Sequence, residues 1–120
     1  MYWNMADLVN ETDRAGSFFF SPDTMKLFGT RLCPSSARRI SHTDDQQIYL
    51  FITSDETFDA RARFFTVRKW VREAYTRESD GRKCYRVDVD TVGEFLGHDT
   101  RAAAYRELEK VAAAMTHADA

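Results

Sequence analysis

The sequence has few of the residues that build metal sites, disulfide frameworks and membrane spans. Its 120 residues include two cysteines, three histidines, two prolines and five glycines. No run of about 18 apolar residues is present, and the N-terminal stretch has acidic residues where a secretory signal has an apolar core. These absences argue against a membrane-spanning helix and a disulfide-rich secreted scaffold. We therefore expect a cytoplasmic protein that makes no membrane contact.

The metal-binding and nucleophilic residue types are scattered along the chain. Cys33 and Cys84 form no Cys-x-x-Cys pair, and we expect both to be reduced thiols. His42, His98 and His117 have none of the short spacings of zinc ligands. The sequence also lacks a glycine-rich phosphate loop and a nucleophile elbow. We therefore predict no metal, no cofactor and no catalytic residue.

One pair of carboxylates keeps an enzyme as a third hypothesis. Asp88 and Asp90 lie two residues apart in a predicted strand, so they share a face and suit acid–base work or a divalent ion. The structural interpretation is preferred, because exposed edge strands commonly carry charge. A catalytic function would need a pocket that joins these two aspartates to Arg31.

The residues that are abundant indicate one soluble domain. Apolar residues make up 43% of the chain and charged residues 30%, and 120 residues is an ordinary length for one domain. The pattern predicts a single α+β domain over residues 1–120, with a frayed tail after about residue 116. Its core is expected to be an antiparallel β-meander of three to four strands, packed against a short N-terminal helix and a longer C-terminal helix.

Local signals are strongest in the stretch FFFSPDTMKLFG. Ser21 is a favoured N-cap residue and Gly29 is a typical helix stop, so a short helix is predicted between them. Phe20 and Met25 occupy the two positions of a hydrophobic staple. Met25 and Phe28 lie three residues apart and are expected to bury one shared face against a sheet.

Strand signals occupy the middle of the chain. The run IYLFIT is apolar on both faces, which is typical of a strand in the middle of a sheet or at an interface. An Asp-Gly pair at Asp80 and Gly81 predicts a hairpin between the last two strands. The predicted strands are Arg38–Ser41, Ile48–Thr53, Phe64–Tyr75 and Cys84–Val89.

Helical signals flank these strands. Met5–Val9 is predicted as a short helix, and Asp99 or Thr100 is expected to cap a longer helix that ends at about Met115. Asp90 is expected to cap a brief turn before it. The apolar stripe of the long helix has a period of about 3.6 residues and consists of Tyr105, Leu108, Val111, Ala112 and Met115.

Charge is distributed unevenly along the sequence. Residues 61–86 contain nine basic and three acidic residues, a net charge of +6, whereas the rest of the chain carries −8. If the basic residues share one surface, that surface would attract phosphates, and Trp70, Tyr75 and Tyr85 could stack bases. The alternative is that they pair with the acidic remainder and leave no net patch. The predicted partner-binding residues are Arg68, Trp70, Arg72, Arg82 and Lys83.

Two further surfaces are candidates for partner binding. The acidic residues Asp55, Glu56 and Asp59 mark a predicted turn that could mimic phosphates against a basic site. Some aromatic residues are expected to form an exposed patch for a protein partner, while most build the core. One version of this hypothesis is a homodimer formed through Ile48–Thr53. The aromatic set is Phe18, Phe19, Phe20, Tyr49, Phe51, Phe58, Phe64 and Trp70.

Three blocks carry a family resemblance, namely FFSPDTMKLFGTR, FFTVRKW and DVDTVGEFLGHDTRAAA. They resemble a family of small uncharacterised proteins of bacteriophages and prophages, which has an F-S-x-D-T-M block near its start and a D-T-V-G-E-F-like block near its end. The resemblance covers much of Phe19–Ala104 and implies a phage origin, and it brings no established activity with it.

A phage origin suggests a function by analogy alone. Phage accessory factors of this size commonly bind and block host machinery, which requires a complementary surface and no reactive centre. We therefore expect a non-enzymatic interaction protein in the host cytoplasm that binds a host protein or a protein–nucleic acid complex. An inhibitor of a host defence complex, of the anti-CRISPR kind, is the specific expectation. The alternative is a small nucleic-acid-binding accessory protein that uses the basic hairpin of residues 61–86.

Overall fold

The fold is an antiparallel sheet with helices on both of its faces. The computed structural model describes residues 2–57, 59 and 61–118. For residues 117 and 118 it describes the backbone only. The helices are α1 Met5–Arg14, α2 Pro22–Leu27 and α3 Arg101–Ala118. The strands are β1 Arg31–Leu32, β2 Arg38–His42, β3 Gln46–Glu56, β4 Arg63–Thr76 and β5 Lys83–Val92. These elements confirm the predicted α+β class and its meander.

The sheet is built around β3. Strands β3, β4 and β5 pair in sequence as two antiparallel hairpins, and β1 and β2 pair with the other edge of β3. Within the described residues the sheet has five strands, one more than predicted, because β1 is only two residues long and has no period to detect. The central place expected for Ile48–Thr53 is confirmed. Both edges of β3 are paired within the chain, so Ile48–Thr53 has no free edge through which it could join a second copy.

Because side chains point alternately to the two faces of the sheet along each strand, the core consists of two clusters, one on each face. The α1 face carries Tyr49, Phe51 and Trp70 together with Leu8 of α1 and Phe20, all of them buried. The opposite face carries a second buried cluster, which α3 covers. Its buried members are Cys33, Leu50, Ile52, Val67, Ala104 and Leu108. The apolar run in β3 is therefore buried on both sides, as its composition predicts.

The short helix α2 begins and ends as predicted, but its side chains are less buried than predicted. The Ser21 hydroxyl accepts a hydrogen bond from the Thr24 N–H at 3.3 Å, and Gly29 ends the turn at a φ of +53°. The expected burial of Phe28 is wrong. Its ring is 39% exposed and lies edge-on to Phe95, with the ring centroids 5.3 Å apart. None of the residues of α2 itself is buried.

The C-terminal third departs from prediction at one place. Asp90 caps no turn, because β4 is long enough to pair with β5 as far as Val92. Thr100 does cap α3, since its hydroxyl accepts a hydrogen bond from the Ala103 N–H at 3.1 Å. The predicted stripe packs on the second cluster, and α3 runs three residues past Met115. Residues 119 and 120, in the predicted frayed tail, lie outside the described residues.

Candidate functional site

The basic residues of the segment 61–86 are largely neutralised by acidic residues of the same chain. Among the residues that the structure describes, seven of the nine cations lie within 4.0 Å of a carboxylate oxygen, and Lys69 and Arg82 are the other two. The pairs are Arg61–Asp59, Arg63–Glu56, Arg68–Asp55, Arg72–Glu11, Arg77–Asp80, Lys83–Asp45 and Arg86–Glu73. The structure thus favours the pairing alternative over an open basic patch.

Arg68 is not an exposed contact, contrary to the prediction. The residue is only 9% exposed, because β4 is an inner strand and the side chain points to the α1 face. Its Nε donates to the Thr53 hydroxyl at 3.1 Å and its Nη1 donates to the Thr91 hydroxyl at 2.8 Å. Its Nη2 lies 3.6 Å from a carboxylate oxygen of Asp55. Burial lowers the pKa of Arg68, and the charge of Asp55 opposes this effect.

Trp70 is also inaccessible, so it cannot serve as a surface anchor in this fold. Its indole is fully buried between Trp3 and Tyr49, with both ring centroids 5.9 Å away. The indole N–H donates to the Thr12 hydroxyl of α1 at 2.8 Å. A large aromatic residue on a central strand is most stable in the core, and the alternation of β4 places Trp70 there.

The remaining predicted cations differ in exposure. The side chain of Arg72 is mostly buried, and its Nε lies 3.3 Å from a carboxylate oxygen of Glu11 in α1. Its guanidinium carbon lies 3.5 Å from the ring centroid of Tyr85. Lys83 is exposed but lies 2.6 Å from Asp45, and this hydrogen bond raises the pKa of Lys83. Arg82 is exposed in the hairpin turn, as predicted, and makes no ion pair within the described residues.

The acidic candidates do not form one exposed loop. Asp55 is fully buried in β3, where its carboxylate accepts hydrogen bonds from the hydroxyls of Thr30 and Thr53. Glu56 is also in β3 and is paired with Arg63 at 3.0 Å. Asp59 is exposed in the turn that follows. The prediction that these three residues share a turn is wrong, because β3 extends three residues beyond the apolar run.

Most described members of the aromatic set are buried or partly buried, as predicted, and Phe18 is the exception. Phe20, Tyr49, Phe51 and Trp70 are buried, and Phe19 and Phe64 are partly buried. Phe18 is 77% exposed. Phe58 lies outside the described residues.

An apolar cleft opens beside α2, and we name it the α2 cleft. It has a volume of about 290 Å³ and lies between α2, the end of β5 and the loop that follows β5. Leu27, Phe28 and Phe95 are three of its lining residues and are exposed large apolar side chains. The complete lining is Phe19, Thr24, Met25, Leu27, Phe28, Thr30, Arg68, Thr91 and Phe95.

Arg68 is the one charged group among these lining residues. Its guanidinium carbon lies 5.5 Å from the ring centroid of Phe19 and 5.3 Å from that of Phe95. Its Nε and Nη1 donate to Thr53 and Thr91, and its Nη2 faces the carboxylate of Asp55. The cleft is therefore apolar on its walls, and the guanidinium of Arg68 lies on its sheet side.

Two lining residues of the cleft, Leu27 and Phe95, were not identified from the sequence. Leu27 lies two positions after the inward-facing Met25, so helical geometry placed it on the outer side of α2 and could have identified it. Phe95 has no such signal. It meets Phe28 only because β5 returns along β4 to the end of the sheet where α2 lies.

The fold does not bring together the residues that the catalytic hypothesis needs. Arg31 lies on β1, and Asp88 and Asp90 lie on β5, so these residues occupy opposite edges of the sheet. Among the described residues, no group of three His, Cys, Asp or Glu side chains has an arrangement that could hold a metal ion. The side chain of His117 lies outside the described residues.

His42 belongs to an aromatic cluster that ties residue 3 to the sheet. Its Nδ1 lies 2.9 Å from the Tyr49 hydroxyl, which also accepts a hydrogen bond from the Trp3 N–H at 3.0 Å. The Tyr49 hydroxyl can donate its own proton to Nδ1 only when that nitrogen carries none. Burial lowers the pKa of His42, and neighbouring positive charges, including Arg39 and Arg72, act in the same direction.

We predict that this histidine makes folding pH-dependent. The unfolded chain binds a proton at His42 from about pH 6.5 downwards, whereas the folded state resists protonation, so stability falls as the pH drops through this range. Urea denaturation between pH 7.5 and 5.5 measures the effect. His42→Gln is expected to reduce the pH dependence in this window, and an unchanged dependence would contradict the assignment.

Comparison with known proteins identifies a family for this chain but no activity. The described residues include no helix with the length and apolar character needed to span a membrane. No curated protein and no solved structure matches the chain. The model of a family of unknown function, DUF7447, matches residues 4–109, from the N-cap of α1 into α3. Since this match spans most of the 120 residues, the chain belongs to the DUF7447 family.

Proposed function

We propose that this chain is a non-enzymatic interaction protein that binds a partner protein at the α2 cleft. The observation that carries the proposal is the exposure of three large apolar side chains, Leu27, Phe28 and Phe95, around one cleft. Burial of such side chains is strongly favourable, and contiguous exposed apolar surface marks interaction sites in folded monomers. Phe18, which directly precedes the cleft residue Phe19 in the chain, is also an exposed large apolar residue.

The cleft favours an inserted side chain over a small molecule. Its volume of about 290 Å³ lies at the low end for ligand pockets, whereas protein interfaces commonly seat one large apolar anchor in such a pocket. The positive charge of Arg68 at the cleft suits a backbone carbonyl or a carboxylate beside that anchor. We therefore expect a partner segment that carries a large aliphatic or aromatic side chain next to a hydrogen-bond acceptor.

The narrower expectation concerns the identity of the partner. A host defence complex, a phage origin and action by occlusion in the host cytoplasm follow from the resemblance and stay predictions. The α2 cleft is compatible with them, because occlusion requires surface complementarity and no reactive centre.

The nucleic-acid alternative also stays a prediction, and the ion pairs argue against it. A cation that is already paired with a carboxylate contributes little to the counterion release that drives binding to phosphates. Trp70 is buried, so it cannot stack a base. Lys69 and Arg82 are the two cations of the segment without a carboxylate partner among the described residues, which is a small electrostatic footprint.

The test is capture of a partner from host lysate by the tagged chain, with and without nuclease. We expect the wild type to retain a protein after nuclease treatment, and Leu27→Asp and Phe95→Asp to reduce its retention at least tenfold, because truncating an interface anchor commonly costs about 2 kcal/mol or more. Tyr75→Asp is the matched control, since Tyr75 is a similarly exposed aromatic residue at the opposite end of β4.

Two results would contradict the proposal. Retention of the same protein by both cleft variants would place the contact surface elsewhere. Loss of every partner after nuclease treatment would favour the nucleic-acid alternative. Far-UV circular dichroism of each variant excludes unfolding as the cause of lost binding.

A further inference from the structure

Strand β5 leaves a long backbone edge without a partner. It pairs with β4 over all ten of its residues, and among the residues that the structure describes no strand pairs with its outer side. Such an edge presents a row of unpaired N–H and C=O groups to another strand. Proteins usually protect long edges with a bulge, a proline or charged side chains, and of these β5 has the charged side chains. The register of β5 runs from Val92 to Lys83 without a shift, and the strand contains no proline.

The charges along this edge are ordered by sign. Its first half, with the hairpin turn before it, carries Arg82, Lys83 and Arg86, and its second half carries Asp88 and Asp90. All five are exposed. Arg86 has a loose contact of 3.6 Å to Glu73, and neither aspartate forms an ion pair within the described residues. A strand of this kind repels a parallel copy of itself and attracts an antiparallel copy.

We propose that two copies of this chain join through β5, with the two strands antiparallel and the two-fold axis at Val87. The sheets of the two copies then become one continuous sheet. Arg86 of one copy lies opposite Asp88 of the other, and the symmetry repeats this pair. On the other face Tyr85 lies opposite Val89, so half-buried apolar side chains meet across the interface.

Electrostatics selects this register among its neighbours. In an antiparallel pair, residues whose backbone N–H and C=O groups point towards the new interface must face one another. The two-fold axis of a symmetric pair therefore lies between one residue and the same residue of the other copy. An axis at Asp88 or at Arg86 would oppose two like charges. An axis at Val89 would oppose Asp88 and Asp90, and an axis at Tyr85 would leave Arg86 opposite Cys84. Only the axis at Val87 places Arg86 opposite Asp88, and in this register no two like charges of β5 face each other.

The same register gives a role to the unpaired cation of the hairpin turn. Arg82 comes opposite Val92 of the other copy, close to the acidic end that carries Asp90 and Glu94. The interface is isologous, as in most homodimers, so each favourable contact occurs twice. The backbone hydrogen bonds of the new strand pair add an attraction that does not depend on side chains.

Charge reversal tests the proposal on the purified full-length chain by sedimentation equilibrium over a concentration series. The wild type is expected to reach about twice the 13.9 kDa mass of one chain. Arg86→Asp and Asp88→Arg, made separately, each oppose like charges twice and are expected to raise the dimer dissociation constant at least about tenfold. Arg106→Asp, on the exposed side of α3, is the matched control and should leave the dissociation constant unchanged.

The double variant Arg86→Asp, Asp88→Arg provides the decisive result. It exchanges the two charges and recreates both opposite-charge pairs in the same register, so we expect the dimer to return. A wild type that stays monomeric throughout the series would overturn the proposal. A double variant that fails to dimerise while remaining folded by circular dichroism would overturn the register and the β5 interface together.

Discussion

Replacement of Arg68 by methionine is expected to lower the free energy of unfolding by about 3–5 kcal/mol, because it leaves the carboxylate of Asp55 buried without a cation. Asp55 is fully buried, and Arg68 is the one cation that forms an ion pair with it among the described residues. The hydroxyls of Thr30 and Thr53 continue to donate to the carboxylate, but neutral donors do not compensate a buried charge. Urea denaturation at pH 7 measures the loss.

Removal of the other partner is expected to cost less. In Asp55→Asn the guanidinium of Arg68 keeps its hydrogen bonds to Thr53 and Thr91, and it borders the α2 cleft, through which water can reach it. The double variant Arg68→Met, Asp55→Asn carries neither charge and should be more stable than Arg68→Met alone. Additive losses in this double-mutant cycle would contradict a coupled buried pair.

Trp70→Ala is expected to lower the free energy of unfolding by about 3–5 kcal/mol, since it empties the largest buried site of the α1 face. The change removes ring contacts with Trp3 and Tyr49 and the hydrogen bond to Thr12. A domain of this size is commonly stable by about 5–15 kcal/mol, so the variant should be close to unfolding under mild conditions.

Trp70→Phe separates the two causes of that loss. Phenylalanine keeps most of the ring packing but leaves the Thr12 hydroxyl without its donor, which should cost about 1–3 kcal/mol. Tyr75→Ala, at an exposed aromatic of the same strand, should change stability by less than about 0.5 kcal/mol. Far-UV circular dichroism follows unfolding in urea, because tryptophan fluorescence changes with the variants. A Trp70→Ala loss as small as that of Tyr75→Ala would contradict the assigned burial.

Several elements could be predicted because their causes lie within a few residues of chain. The cap at Ser21 and the stop at Gly29 define α2, and the Asp-Gly pair marks the hairpin between β4 and β5. The run IYLFIT becomes the central strand because its side chains are apolar on both faces. Such signals depend on backbone preference and on the period of the side chains, and both are local properties.

The errors concern ends of elements and exposure. Phe28 was expected to be buried and is partly exposed, and Asp90 was expected to cap a turn and lies in β5. In both cases the outcome depends on a neighbour distant in sequence. Phe28 meets Phe95, and Asp90 lies opposite Lys69 of β4.

The net charge of the segment 61–86 and its position on a hairpin are properties of the amino-acid order, and so is the α+β class that the helical and strand periods imply. Whether those charges face a partner was set by packing. Arg68 meets Asp55 and Arg72 meets Glu11 only after the strands register and α1 docks on the sheet. The α2 cleft likewise forms from segments more than sixty residues apart in the chain. Coulomb energy and apolar burial depend on distance in space, which a linear order of residues does not contain.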